Sequence, residues 1–256
     1  MKILFIVDET NFYHPKFTYS LYKRFKSKDH IFNVGLVKKI KKTNSIERYL
    51  LRNISKLTLR EILFLGLKKI YFELFDIFTR NFNIFFKVES VLKKKKITYF
   101  VIEYDINNKE YVDYINNLKP DIIISSCSVI FSKNILNVPK FGCINRHTSL
   151  LPSYGGLYPV FHSIADKNQS SGVTIHKMTE KKDEGQILAQ TTIINEDNNL
   201  SKIYKKGFEA SVDLVFDAIK NLVNGKFINN DYKKSYYSFP DEKRWKMFRE
   251  NKGKFI

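Results

Sequence analysis

The sequence predicts an α/β fold: a doubly wound, mostly parallel sheet with a short C-terminal extension. Three observations carry this reading. Strand-like and helix-like stretches alternate through the first half of the 256 residues. Segment 121–126, DIIISS, is apolar almost without a break, as a strand covered on both faces of a parallel sheet requires. Polar residues suited to chemistry, Asn145 and the Ser125-Ser126-Cys127 run, fall at strand carboxyl ends, where open α/β sheets bind their ligands.

Residues 2–7, KILFIV, read as the first strand, 17–26 as the helix after it, and 31–37, IFNVGLV, as the second strand. From Leu57 to Phe82 the pattern is helical. Leu59, Leu63, Leu67, Ile70, Leu74 and Ile77 line one side, with Lys69, Glu73, Asp76 and Arg80 on another. That stretch is too charged to span a membrane; it is expected to pack on the domain or on a partner subunit, with an interfacial helix as the other reading. Val88 to Lys96 reads as a helix ending in four lysines, which suit the negative end of its dipole. A strand at 97–103 and a helix at 108–118, capped near Asn107 or Asn108, lead to the strand at 121–126. A short helix at 131–137, strands near 141–145, 172–177 and 187–194, and an amphipathic helix over 200–223 follow. The last stops at Asn224-Gly225. Residues 1–225 thus read as one domain. The tail 226–256, with Tyr236-Tyr237-Ser238-Phe239-Pro240 and a basic run around Trp245, is its extension.

Hydrophobic content of 43% is ordinary for a water-soluble domain. Cys127 and Cys143 sit in apolar strand-like runs and read as small buried hydrophobes of a reducing compartment, without a disulfide. The opening MKILFIVDE turns acidic too soon for a signal peptide, so the expected location is cytoplasmic. The net charge of +18 is unevenly spread: +14 in residues 1–96, −1 in 97–225 and +5 in 226–256. The basic flank could draw phosphorylated or polyglutamylated substrates, nucleic acid or an anionic bilayer. It is equally explained as a solvated lysine-rich surface, and no aromatic-basic nucleic-acid motif accompanies it.

The segment Phe141–Gln190 holds the residues that point to chemistry. Asn145-x-His147 closes an apolar run, Ser149-Leu150-Leu151-Pro152 makes a turn, Tyr154-Gly155-Gly156 a glycine-bearing loop, and Asp183-Glu184-Gly185 precedes a new strand. An amide, an imidazole and a carboxylate on loops beside a sheet suit an amine attacking a carbonyl. The first two would hold an oxyanion and the third would manage protons. His162, in a helix, and His176, in the strand Val173-Thr174-Ile175-His176, read as structural, although His162 could reach the pocket. No cluster has metal-ligand spacing, so no metal is expected.

The order and spacing of these motifs, with Lys119–Ser125 before them and Gly172-Val173-Thr174-Ile175 after, resemble the folate-dependent formyltransferase family over roughly residues 119 to 194. That family includes glycinamide ribonucleotide formyltransferase, methionyl-tRNA formyltransferase and the sugar N-formyltransferases. The resemblance implies a Rossmann-like catalytic domain that uses N10-formyltetrahydrofolate as cosubstrate and no metal. It implies that Asn145 and His147 contact the formyl oxygen and that Asp183 assists proton transfer from the amine. The pterin would be held by main-chain groups of Val129, Ile130 and Phe131 and of Glu180, Lys181 and Lys182. The loop bearing Tyr154, Gly156 and Tyr158 would lie over the acceptor.

Within the family, glycinamide ribonucleotide formyltransferases carry a glycine/serine-rich phosphate loop after the first strand. Here that position reads Val7-Asp8-Glu9-Thr10-Asn11-Phe12. The sequence stops some 30 residues beyond the 200–223 helix, where methionyl-tRNA formyltransferases carry a further domain. The aromatic tail resembles those of bacterial sugar N-formyltransferases. The expected acceptor is therefore a nucleotide-linked amino dideoxy sugar, commonly dTDP-linked and destined for surface glycans such as lipopolysaccharide, and not nucleic acid. A divergent methionyl-tRNA formyltransferase, or a non-catalytic membrane-associated subunit of glycan assembly, are the alternatives. The apolar breadth of the 57–82 helix and the alternation of the tail lead us to expect a homodimer.

Overall fold

A computed structural model describes residues 1–10, 12–38, 53–79 and 82–256. Asn11 and Arg80, both used above, lie outside the described residues, as do the side chains of Glu73, Ile77 and Thr79. The strands are β1 (Lys2–Asp8), β2 (Ile31–Val37), β3 (Tyr99–Ile102), β4 (Ile122–Ser126), β5 (Cys143–His147), β6 (Gly155–Gly156), β7 (Ser170–Lys177), β8 (Ile187–Ile194) and β9 (Tyr236–Tyr237). The helices are α1 (His14–Lys26), α2 (Leu59–Thr79), α3 (Val88–Lys94), α4 (Lys109–Leu118), α5 (Lys133–Leu136), α6 (Pro159–Ala165), α7 (Leu200–Val223) and α8 (Glu242–Glu250). Among them, seven strands form a sheet in the order β3-β2-β1-β4-β5-β7-β8. β1 runs parallel to both β2 and β4, β2 is parallel to β3, and β7 and β8 are antiparallel. This is the expected mostly parallel, doubly wound α/β architecture, with the winding reversing between β1 and β4.

The chain divides into two compact units, Met1–Ile144 and Asn145–Ile256. In the first, β1 and β4 are buried along nearly their whole length, which their near-continuous apolar sequences anticipate. Asp8 and Glu9, at the carboxyl end of β1, both bond to backbone amides. Asp8 accepts from the Ser128 amide at 2.9 Å, and burial pushes its carboxyl up to about 6. Glu9 accepts from the Val88 and Glu89 amides at 2.8 and 2.9 Å, satisfying the orphan donors at the start of α3. Asn108 takes the N-cap position of α4 without a side-chain cap bond. Asn107 reaches instead to the Ile130 carbonyl (2.9 Å) and the Ser132 amide (2.7 Å). Cys127 lies just past β4 in a bend, and Cys143 is buried in β5; both are free.

Helix α2 departs from expectation. Its apolar stripe does not pack on its own domain, the first of the two packings expected: Leu59, Leu63, Leu67, Ile70 and Leu74 are all exposed in the single chain. Two carboxylates of the helix dock instead. Glu61 and Asp76 are buried, and Thr58 and Glu61 form a reciprocal capping box at the helix start. Asp76 accepts from the Phe86 and Lys87 amides at 2.9 and 3.1 Å and from the Ser90 hydroxyl. Backbone donors that need a carboxylate decided the orientation, and hydrophobic periodicity did not.

In the second unit α7 starts at Asn199, whose side chain accepts from the Lys202 amide, and ends before Gly225, whose φ of 65° suits glycine. Its buried face, including Leu214, Val215 and Ala218, covers the β7–β8 pair. The tail is integral to this unit. β9 pairs in parallel with β6, and Trp245 and Phe248 of α8 are buried against Phe161, at ring distances of 5.0 and 4.2 Å.

Candidate active site

Asn145 and His147 stand two residues apart on β5, so the strand's two-residue period turns both to one face. Arg146 between them points the other way. It is buried, donating to Ser211 of α7 (2.7 Å) and to Thr148 (3.1 Å), with its guanidinium 3.7 Å from the Phe208 ring centre. Burial lowers its pKa to about 9.

Asp183 meets these groups from the loop between β7 and β8. Its Oδ1 lies 3.6 Å from His147 Nδ1 and 3.8 Å from His176 Nε2, and its Oδ2 accepts from the Gly156 amide at 2.8 Å. The Asp-x-Gly spacing has a steric reason. A Cβ on Gly185 would fall 1.6 Å from the Lys177 carbonyl oxygen, so only glycine lets the loop close onto the end of β7 and bring Asp183 in. Asp183 itself holds a left-handed φ of 54°.

Partners assign the histidine tautomers. His147 Nε2 faces the Tyr154 carbonyl at 2.9 Å and must carry a hydrogen, which leaves Nδ1 on the Asp183 side. His176 Nδ1 faces the Lys177 carbonyl at 3.1 Å and must also be protonated. That leaves Nε2 as a lone pair, and the Asn145 amide donates to it at 3.2 Å. His176 is therefore neutral; burial, then the neighbouring His147, hold its pKa well below the ordinary histidine range.

His176 was read from sequence as a core histidine of a strand, and that reading missed its place in the cluster. The β7–β8 register shifts between Ile175 and His176, and such an irregularity re-aims a side chain. Alternation alone could not have revealed it. His162 is structural, as its helical context suggested. It stacks on Tyr237 (4.3 Å), faces the Ser238 carbonyl at 3.1 Å and accepts from Arg244 at 3.0 Å.

The Ser149–Pro152 turn is gripped by the strands beside it. Thr174 donates to the Ser149 carbonyl (2.6 Å) and accepts from the Leu151 amide (3.1 Å), while Gln190 and Asn230 both donate to the Leu151 carbonyl. The adjoining loop residues differ in disposition. Tyr154 turns its ring onto Tyr237 (5.5 Å) and its hydroxyl to Asp166 (3.0 Å), so its contribution to the cluster is the carbonyl that orients His147. Gly156 supplies the amide that holds Asp183, and a Cβ there would fall 2.1 Å from the Tyr237 carbonyl. Tyr158 caps α6 at a φ of 52°, its ring 5.8 Å from Phe239.

Of the positions expected to hold a pterin, Val129 is half-buried, Ile130 is exposed and Phe131 is buried in the first unit; Glu180, Lys181 and Lys182 are exposed in the second. Among the described residues no group of three or more His, Cys, Asp or Glu is placed to hold a metal ion. A cavity of about 210 Å³, lined by hydroxyls including Ser149, Ser153, Ser163 and Ser171, lies apart from Asn145 and Asp183. Its serine hydroxyls bond to backbone carbonyls or to each other.

The formyl transferase family profile matches residues 85–219, more than half of the chain, and the chain belongs to that family. It is 36% identical over 155 residues to the bifunctional polymyxin resistance protein ArnA of Wigglesworthia glossinidia brevipalpis, covering 59% of this chain and 24% of that protein. It is 30% identical over 167 residues to methionyl-tRNA formyltransferase of Caldicellulosiruptor saccharolyticus, covering 61% and 54%. The chain thus spans between a quarter and about half of the length of these relatives. Among solved structures it is similar to a sugar N-formyltransferase from Shewanella sp. FDAARGOS_354 (TM-score 0.58, 20% identity, 93% of this chain and 77% of that one). It is also similar to WlaRD, a sugar 3N-formyltransferase solved with dTDP and 5-N-formyl-tetrahydrofolate (TM-score 0.56, 15% identity, 93% and 70%).

Proposed function

We propose that this chain moves the formyl group of N10-formyltetrahydrofolate to the amino group of a nucleotide-linked, dTDP-type amino dideoxy sugar. The observation that carries the reading is the convergence of Asn145, His147 and Asp183, with Asp183 Oδ1 3.6 Å from His147 Nδ1. The acceptor amine attacks the formyl carbon, and a C–N bond forms as the carbonyl oxygen takes up negative charge. The second N–H of the Asn145 amide and the Nδ1–H of a protonated His147 donate to that oxygen. Asp183 takes the proton released by the new ammonium, and the proton passes to N10 as the carbon–N10 bond breaks. His176 and the Tyr154 carbonyl keep the two donors aimed. The main-chain groups of 129–131 and 180–182 are the ones we assign to the folate, and the loop of Tyr154, Gly156 and Tyr158 to the acceptor.

What supports a sugar acceptor is the sequence, with no glycine-rich loop after β1 and the aromatic run Tyr236-Tyr237-Ser238-Phe239-Pro240 in the tail. The 30% identity to methionyl-tRNA formyltransferase favours a second reading, formylation of initiator methionyl-tRNA. An assay with N10-formyltetrahydrofolate against a panel of dTDP- and UDP-amino sugars, alongside initiator methionyl-tRNA, separates the two. Faster formylation of the tRNA than of every amino sugar overturns the sugar assignment.

A further inference from the structure

Helix α8 starts on Asp241, whose carboxylate accepts from the Arg244 amide at 2.8 Å and seats Arg244 in the first turn. All three nitrogens of the Arg244 guanidinium are engaged within the second unit. Nη1 donates to Asp166 at 2.6 Å, Nε to His162 Nδ1 at 3.0 Å and Nη2 to the His162 carbonyl at 2.7 Å. The other oxygen of Asp166 accepts from two hydroxyls, those of Tyr154 (3.0 Å) and Tyr237 (3.2 Å), whose rings stack on each other. The Arg244 and Asp166 side chains are 15% and 26% exposed, so water screens the pair weakly.

These two tyrosines belong to the short ribbon of β6 and β9. Tyr154 stands immediately before β6 and Tyr237 ends β9. Between them the Gly155 amide donates to the Ser235 carbonyl (2.9 Å) and the Leu157 amide to the Tyr237 carbonyl (2.8 Å). A ribbon of two residues a side is not stable by itself. Its β6 side also holds Tyr154, Gly156 and Tyr158 at φ of 58°, 87° and 52°. A bulky residue keeps a left-handed backbone only where its surroundings impose it. Yet this ribbon supplies the two backbone groups on which the catalytic side chains lean. The Tyr154 carbonyl meets His147 Nε2 at 2.9 Å, and the Gly156 amide donates to Asp183 at 2.8 Å. The Arg244–Asp166 pair is the polar anchor that grips both strands of the ribbon at once.

We propose that Arg244 is a positioning residue for formyl transfer: through Asp166 and the Tyr154 hydroxyl it fixes the backbone that aims His147 and Asp183. Its effect on turnover rests on the formyl-transfer reading, whereas the aim of the His147 ring does not. Lysine is a poor substitute, because one ammonium can reach Asp166 but cannot also bond both groups of His162.

The test reads ring and turnover separately. In heteronuclear NMR of the histidine rings of the full chain, without substrate and in mildly alkaline buffer, His147 is the resonance missing from His147→Gln. It should show its hydrogen on Nε2 in the wild type. In Arg244→Gln the Tyr154 carbonyl is released, and Nδ1, 3.6 Å from Asp183, should carry the hydrogen in a measurable share of molecules. The same protein should lose about 10- to 100-fold in kcat, with the KM for folate little changed, and Arg244→Lys should recover part of both. Tyr154→Phe cuts the link at one hydroxyl and leaves the α8 bonds in place, so it should shift the tautomer in the same direction even if Arg244→Gln does not fold. Arg249→Gln, which removes a bond from the same helix to the Gly253 carbonyl, should keep the wild-type tautomer and kcat. An unchanged Nε2–H tautomer in Arg244→Gln and in Tyr154→Phe overturns the proposal. So does an equal loss of kcat in Arg249→Gln, which would mean that α8 acts only through stability. Absence of formyl transfer in the wild type overturns the formyl-transfer reading instead, and the tautomer still tests Arg244.

Discussion

The lone pair of His176 Nε2 receives the Asn145 amide at 3.2 Å, because the other nitrogen of that ring is committed to the Lys177 carbonyl. This pair settles which end of the Asn145 amide is fixed and leaves its second N–H for substrate. In our reading His176 positions Asn145 and does not touch the reacting atoms. His176→Ala should lower kcat by about 10- to 100-fold, the scale of a misplaced catalytic group, with the KM for folate little changed. His176→Gln, which can present an acceptor oxygen to the amide, should recover part of the loss. Unchanged kcat in His176→Ala would remove the positioning role.

The groups assigned to chemistry should cost more. Asn145→Ala, His147→Ala and Asp183→Ala are each expected to reduce turnover by about 100-fold or more, as loss of an oxyanion donor or acid–base group does. His147→Ala should still fold, since the ring it removes is polar, bonded to the Tyr154 carbonyl, and stands at the end of β5. Single-turnover formyl transfer at a near-normal rate in that protein would sink the mechanism.

Two glycines should respond differently to alanine. At Gly185 the new methyl would meet the Lys177 carbonyl oxygen at 1.6 Å, so the loop must move and take Asp183 with it. We expect Gly185→Ala to lose about 2 kcal/mol or more of stability, as overpacked sites do, together with activity. At Gly225 nothing lies within 4 Å, and only the φ of 65° opposes a side chain. Gly225→Ala should cost about 1 kcal/mol and leave turnover intact. Urea unfolding of both proteins beside their kinetics checks the contrast.

Acidification should weaken the fold through the buried histidines. Burial is the largest influence on His162 and lowers its pKa from 6.5 to about 4, and His176 is lowered in the same direction. Between those values the unfolded chain binds protons that the folded chain refuses, so stability is full above 6.5 and falls as pH drops toward 4. Asp8, raised from 3.8 to about 6, acts oppositely: the stability tied to its protonated form is present below 3.8 and lost as pH rises through 6. Thermal unfolding across this range should show His162→Gln flattening the acid limb. An unaltered limb would show that His162 is not a source of it.

Local pattern was enough for much of this molecule. Continuous apolar runs such as 121–126 declare strands buried on both faces, and the order Asn145-x-His147, Ser149–Pro152 and Asp183-x-Gly185 declares a family, because each motif answers a local need. Two-residue alternation turns Asn145 and His147 to one side, and the Gly185 position admits no side chain. Other features depended on atoms distant in sequence. The β7–β8 register shifts where His176 meets Asn145, a place in the cluster that its reading as a structural strand residue had not given it. The amides of Phe86 and Lys87 drew Asp76 inward and so turned a leucine stripe outward, against its hydrophobic pattern. Periodicity records which residues share a face. Which way that face points is settled by the strongest unmet hydrogen-bonding demand nearby, and that demand exists only once the chain has folded.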